Sequence, residues 1–388
     1  MKDFSFDQVI TREHTHAEKY DARVEKFGRE DITPMWVADM DLAVSPAIQQ
    51  ALLERIKHPI LGYTDYYSEY YLAIQRWMKK AHNWEIEQKW ISPINSILTG
   101  LNMAIETFSQ KGDGVIIQPP IYPPFQSMVK HHKRKLLENE LLIENGAYTI
   151  NFDEFEKQAK EAKIFLLCSP HNPTGRVWNR DELMQIVSIC KKHKVLIVSD
   201  EVHADLVYSK IHLPIGKIEE TEKITITLNA PSKSFNIAGI ASAYAIIKND
   251  SLRRKFHEAF QRYSLLNPNP LTLIATISAY TKSDIWLKEL LIYLEKNLTY
   301  IHKRLEAMPK IKAMPTEATF LLWLDCSQLK LSDEELKDFF VNQAKMGLNQ
   351  GSSFGKGGLG FMRLNFALPF EVLAEVMDGL EKAYKKQN

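Results

Sequence analysis

Between Gly112 and Leu228 the chain alternates short apolar runs with a stretch of helical period, and this alternation constrains its fold more than any other feature. Gly112–Asp113–Gly114 reads as a turn, and Val115–Ile117 then reads as a buried strand ending at Pro119 and Pro120. Ile164–Cys168 is a second apolar run, halted by Pro170 and Pro173. Leu183, Ile186, Val187 and Cys190 follow at i, i+3, i+4 and i+7, the spacing of a helix with one apolar face. Asp181 and Glu182 suit its first turn. Val195–Val198 reads as the next strand, and Ile224, Ile226 and Leu228, alternating with Thr225 and Thr227, as another. Strand–helix–strand order predicts an α/β layered fold with a mostly parallel sheet.

Further on the period changes. Leu287, Leu290, Leu294, Leu298, Ile301 and Leu305 recur every three or four residues and predict one long helix leading out of the first domain. Phe320–Leu324 reads as a strand and Glu334–Phe340 as a helix, so a smaller α+β domain is expected at the C-terminal end. At 388 residues the chain exceeds one typical domain. Hydrophobic residues at 45% and charged residues at 25% support a packed core rather than disorder. A net charge of +1 gives no bulk attraction to nucleic acid or to a membrane surface. Cys168, Cys190 and Cys326 are widely spaced without a CxxC pair, so neither a disulfide framework nor a metal site is expected. The opening MKDFSFDQ carries acids and no long apolar run, unlike a signal peptide. The apolar segments fall short of the ~18 residues of a membrane helix. A cytoplasmic location is the default expectation.

Ligand sites in open α/β sheets lie at the C-terminal ends of the strands. Three polar clusters fall there: Ser169–Pro170–His171–Asn172–Pro173–Thr174–Gly175, Asp200–Glu201–Val202–His203, and Asn229–Ala230–Pro231–Ser232–Lys233–Ser234–Phe235–Asn236. Singly they are ordinary: a turn, a helix cap, a solvated lysine in a serine-rich loop. Together and in order they match the needs of pyridoxal phosphate. Lys233 supplies an amine for the cofactor's aldehyde. Asp200 supplies a carboxylate to keep the pyridine nitrogen protonated, and Asn172 a donor to the ring's phenolic oxygen. His203 can reach the same ring edge or orient Asp200, or it is a satisfied structural histidine.

The SPHNPTG, SDEVHADLVY and APSKSFNIAG stretches resemble, in order, the fold-type I pyridoxal-phosphate enzymes of the aminotransferase class I and II group. The resemblance runs from Met35 to Pro369. It is nearest to the cystathionine β-lyase, or C–S lyase, branch, through Pro34–Met35–Trp36–Val37–Ala38–Asp39–Met40–Asp41 and Gln118–Pro119–Pro120–Ile121–Tyr122–Pro123–Pro124–Phe125. It implies a mostly parallel mixed sheet sandwiched by helices in a large cofactor-binding domain at 45–282, and a small α+β domain formed by 1–44 with 283–388. It also implies roles. Tyr122 stacks on the cofactor ring. Ser96, Ile97 and Leu98 open a helix whose N–H groups bind the phosphate, and Ser232 adds a hydroxyl. Arg363 grips the substrate α-carboxylate with two parallel hydrogen bonds. Tyr63 reaches the neighbouring subunit's phosphate, which makes the enzyme a homodimer with shared active sites. Trp36 walls the side-chain pocket or belongs to the core. Many relatives carry glycine where Ser96 stands, and many aminotransferases of the group carry an arginine where this chain has Ala241, a departure that favours the lyase branch.

The reaction this implies is β-elimination from an S-substituted cysteine, giving thiol, pyruvate and ammonia. Lys233 moves the Cα proton and the substrate is a small amino acid. The alternative is a pyridoxal-phosphate aminotransferase, which needs no other residue. A non-catalytic pyridoxal-phosphate-binding regulatory protein is a third reading, opposed by the intact Lys233, Asp200 and Asn172 set and by the absence of a basic DNA-binding extension.

Overall fold

The computed structural model describes residues 4–387. Seven strands build the main sheet: β1 (Ile91–Ile94), β2 (Gly114–Ile117), β3 (Lys135–Glu138), β4 (Ala162–Cys168), β5 (Leu196–Asp200), β6 (Thr225–Asn229) and β7 (Ala243–Ile246). Their order is β1-β7-β6-β5-β4-β2-β3, and only β7 runs against its neighbours. The expected α/β architecture is therefore present. The sequence reading passes over β1, β3 and β7, the last although it is buried along its whole length. β1 and β3 are the edges. β1 contains Pro93, which an edge strand tolerates because a ladder bond is spared. β3 carries an exposed Lys135 and a partly exposed Glu138.

Alternate side chains of each central strand serve opposite cores, the consequence of the two-residue strand period. Ile164, Leu166 and Val198 pack with Leu101, Ala104 and Ile105 of helix α1 (Ile97–Phe108). Phe165, Leu167 and Ile197 pack with Leu183, Ile186 and Cys190 of helix α2 (Arg180–His193) on the other face. The predicted period of α2 is thus its buried face, and Asn179 and Glu182 close a capping box at its start. Gly100 lets α1 approach the sheet, because a Cβ there would stand 2.7 Å from Ile94 Cδ1.

Helix α3 (Asp284–Leu305) is the predicted long helix. Beyond it an antiparallel sheet comprises β8 (Lys312–Ala313), β9 (Leu321–Asp325), β10 (Asn349–Gln350) and β11 (Phe361–Asn365), in the order β8-β9-β11-β10. The helix expected at Glu334–Phe340 runs over Asp333–Asp338 and continues as a π turn, Phe339–Gln343. The N-terminal segment returns to this part of the chain: Thr33–Pro34 pairs with Met346–Gly347, and the Phe6 ring stands edge-on to Trp286 at 5.6 Å. Cys168, Cys190 and Cys326 are all buried and unbridged. No described helix is long and apolar enough to cross a membrane.

Candidate active site

Parallel pairing turns sequence order into adjacency at the strand ends. Asp200, the last residue of β5, pairs in register with Cys168, the last of β4. Its carbonyl accepts from Ser169 N at 3.0 Å, and Glu201 N donates to Leu228 O of β6 at 2.9 Å. Tyr122 N donates to Asn172 O at 3.1 Å. Lys233 is not in a loop but in a one-turn helix, Pro231–Ser234, directly after β6. A cavity of about 250 Å³ is lined by Lys233, Asp200, Asn172, Tyr122, His203, Ser232, Ser96, Ile97 and Leu98 together. The structure therefore gathers nine of the residues singled out from sequence around one space.

The charges there are held under strain of solvation. Lys233 is half-buried and its Nζ donates to Ala38 O at 2.6 Å. Burial lowers its pKa to about 8; Asp39 and Asp200 oppose this and Arg363 adds to it. Burial raises the Asp200 carboxyl to about 6, although the Val202 N–H bonds to it at 3.1 Å and Lys233 favours its charge. Among the described residues no ion pair reaches Asp200, so a cationic group of a ligand would be its partner. His203 is pushed down to about 3 by burial and by the Lys233 and Arg363 charges, so it is neutral. No hydrogen bond joins it to Asp200, and its Nδ1 is buried without a partner. It therefore neither orients Asp200 by a hydrogen bond nor is a satisfied structural histidine.

At the opposite wall, Ser96 caps α1 by accepting from Thr99 N at 3.1 Å. Its hydroxyl is engaged in that cap, and the first-turn N–H groups of Ile97 and Leu98 have no intrahelical acceptor. They sit at the positive end of the helix, beside Ser232 and Ser242. This donor set fits a phosphate dianion. Ala241 lies on the same wall, where an arginine would be a further contact.

Arg363, on β11 of the second sheet, is 4% exposed. Its Nη1 donates to Asn172 Oδ1 at 3.0 Å, and its Nη2 donates to Trp36 O at 2.8 Å and Asn349 Oδ1 at 2.9 Å. Its Nε is buried with no partner. Burial lowers its pKa to about 10, which leaves it cationic at neutral pH. Trp36 does not line the cavity: its ring meets Phe27 edge-on at 5.9 Å and its Nε1 donates to Lys19 O. Its contribution is the backbone carbonyl that holds Arg363. Tyr63 is fully exposed and lies outside the cavity.

Sequence reasoning missed the clamp that holds the Ala38–Leu42 segment over Lys233. Asn236 accepts from Met40 N at 2.9 Å and donates to Met40 O at 3.0 Å and Leu42 O at 2.8 Å. Arg12 bonds both Asp39 and Asp41, and Lys19, fully buried, places Nζ 2.8 Å from Asp41. Asp39 and Asp41 stood within a quoted motif. Arg12 and Lys19 gave no signal, since isolated basic residues among acids read as solvated surface.

The family model for aminotransferase class I and II matches residues 30–380. Cystathionine beta-lyase PatB of Bacillus subtilis is 40% identical over 383 residues, 97% of this chain and 98% of its own. Among solved structures, cystalysin from Treponema denticola, which contains a pyridoxal 5'-phosphate cofactor, superposes with a TM-score of 0.96 at 35% identity, covering 99% of this chain and 100% of its own. The pyridoxal-phosphate-bound C–S lyase from Staphylococcus hominis gives 0.91 at 31% identity, over 98% and 99%. With most of its length matched by the family model and by relatives above 30% identity, this chain belongs to the aminotransferase class I and II family.

Proposed function

We propose that this chain is a pyridoxal-phosphate-dependent carbon–sulfur lyase that acts on S-substituted cysteines of the cystathionine type and releases a thiol, pyruvate and ammonia. The observation that carries the reading is one cavity lined by a lysine amine of lowered pKa and a buried carboxylate without a cation, with a buried arginine of unpartnered Nε bonded to Asn172 of the lining. The names of the relatives select the lyase from the family's reactions.

Pyridoxal phosphate, when bound, supplies an aldehyde for the substrate amine and a ring that accepts electrons from Cα. Asp200 would hold the proton on the ring nitrogen, Asn172 would donate to the ring oxygen, Tyr122 would stack on the ring, and the first turn of α1 with Ser232 would hold the phosphate. Arg363 fixes the substrate carboxylate and so the direction of the Cα–H bond. Lys233, its pKa lowered to about 8 by burial, is neutral far more often at neutral pH than an ordinary lysine and would take the Cα proton. The thiolate would leave with the Cβ–S electron pair, Lys233 would return a proton, and water would release pyruvate and ammonia. The lining at Ala241 carries no arginine, as expected of the lyase branch.

The rest of the reading is a cytoplasmic homodimer, with Tyr63 of each chain reaching the other's phosphate site. Its large domain takes 45–282, and 1–44 with 283–388 form the small one. The test is incubation with cystathionine and no oxo acid, followed by assay of pyruvate and free thiol. Both products are expected. No product there, with turnover of an amino donor and an oxo acid, makes the chain an aminotransferase.

A further inference from the structure

Behind Lys233 lies a second polar cluster that the chemistry above does not use. Asp205 is buried, and its carboxylate has three donors. His82 Nε2 at 2.9 Å and Trp77 Nε1 at 3.1 Å bond Oδ1, and Ser234 Oγ at 2.8 Å bonds Oδ2. The first two donors belong to one helix, Ser68–His82, and the third sits beside Lys233 on the lysine's own turn.

We propose that Asp205 is a positioning residue for Lys233, acting through Ser234. The inference rests on Lys233 being the lysine that carries the cofactor. Pro231–Ser234 is a single helical turn without a side-chain N-cap, and one turn does not hold its own conformation in water. Its orientation must come from anchors. Asn236 provides one, toward Met40 and Leu42. Asp205 provides the other, from behind. Neighbouring residues on a helix point about 100° apart. A bond at Ser234 therefore fixes the turn without occupying the direction Lys233 needs.

The anchor is itself rigid. Trp77 stacks on Tyr280 at 5.1 Å and meets Phe235 edge-on at 5.5 Å, so the donor helix and the residue after Ser234 share one aromatic cluster. Burial pushes the Asp205 carboxyl up, but the His82, Ser234 and Trp77 donors outweigh it and hold its pKa below the ordinary range. It is a permanent acceptor at neutral pH. His82 is the ionisable group bonded to it, and the buried His212–Glu201 pair lies beyond, with the two imidazole rings 5.7 Å apart. Lys233 in turn faces Asp39, Asp200 and Arg363.

Ser234→Ala tests this, because it removes the anchoring hydroxyl while Asp205 keeps its His82 and Trp77 donors. The variant is made as holoenzyme, and its visible cofactor band is titrated with pH beside steady-state kinetics on cystathionine. The expected result is a shift of about half a unit or more in the midpoint of the band. A fall of about tenfold in kcat, with KM within about twofold, accompanies it, because misplacing a reacting group costs rate more than binding. An unchanged midpoint and kcat overturn the proposal. So does a lowered Tm with an unchanged midpoint, which assigns Asp205 to stability alone. Lys233→Ala run in parallel separates the two levels. If it keeps the visible band, the cofactor assignment itself fails. If it loses the band while Ser234→Ala behaves as wild type, only the positioning role fails.

Discussion

Arg363 and Asn172 are bonded to each other, guanidinium Nη1 to amide Oδ1 at 3.0 Å. One belongs to the antiparallel sheet and the other to the loop after β4, so this bond ties the second sheet to the cavity lining, and with it the two residues proposed to hold substrate carboxylate and cofactor ring. The bonds from Arg363 Nη2 to Trp36 O and Asn349 Oδ1 complete the frame. On the proposed function, that frame would set the position of a bound substrate's carboxylate.

Arg363→Lys keeps the charge and loses the planar fork. With charge-assisted bonds worth about 1.5–3 kcal/mol, kcat/KM for cystathionine should fall roughly 10- to 100-fold, mainly through KM. Steady-state pyruvate release measures it. A loss confined to kcat would mean that Arg363 does not bind the ground-state carboxylate.

Lys233 gives a pH signature. Its folded pKa is lowered to about 8 from an ordinary 10.5, so the native state binds fewer protons there than the unfolded chain between those values. Apoprotein stability should therefore rise with pH across that window, the reverse of a lysine held by a salt bridge. The neutral amine is the form that captures pyridoxal phosphate. Capture by the apoenzyme, followed by the growth of visible absorbance, should quicken about tenfold per unit below pH 8 and level off above it. A rise that continues unbroken to pH 10 would place the amine in ordinary solvent.

What was legible in the sequence follows physical lines. Buried strands such as Ile164–Cys168 and Val195–Val198 announce themselves because both faces are apolar, and their polar ends mark the site. The edge strands β1 and β3 do not, because Ser92 and Pro93 interrupt the apolar run of β1 and the charged Lys135 and Glu138 bound that of β3. Lys233, Asp200 and Asn172 were legible because one cofactor needs all three. The second sheet's share was only partly so. Arg363 came through the family resemblance, whereas Asn349, its partner, sits on a two-residue strand without pattern. Trp36 shows the remaining limit, since its side chain was read and its carbonyl is what reaches the site.

Tyr63 is fully exposed on the single chain, an unusual place for an aromatic residue with a role. If it completes a neighbour's phosphate site, sites are shared and variants complement. Tyr63→Ala and Lys233→Ala homodimers should each be impaired. Unfolded together and refolded, they should regain roughly a quarter of wild-type activity, since half the dimers are mixed and one site in each mixed dimer is intact. No recovery beyond the sum of the parents would remove Tyr63 from the shared site.

Lys19 is fully buried, with Nζ 2.8 Å from Asp41, whose side chain is itself 4% exposed. A buried lysine with one good partner is held in place by that partner, and removing either leaves a charge in a poor medium. Breaking such a pair typically costs about 3–5 kcal/mol. Here Arg12 also bonds Asp41 and Tyr20 donates to it at 3.1 Å, so Asp41 is not abandoned and the cost of Lys19→Met should fall at the lower end, about 3 kcal/mol. Denaturant unfolding of the holoenzyme, with the slope checked for constancy, reads it directly. The loss should not stop at stability. Lys19 also donates to Asp39 O at 3.4 Å, and the adjoining Ala38 carbonyl accepts from Lys233. Loosening this segment should raise KM as well. A destabilised variant with unaltered kinetics would show that the clamp braces the N-terminal segment without shaping the site beneath it.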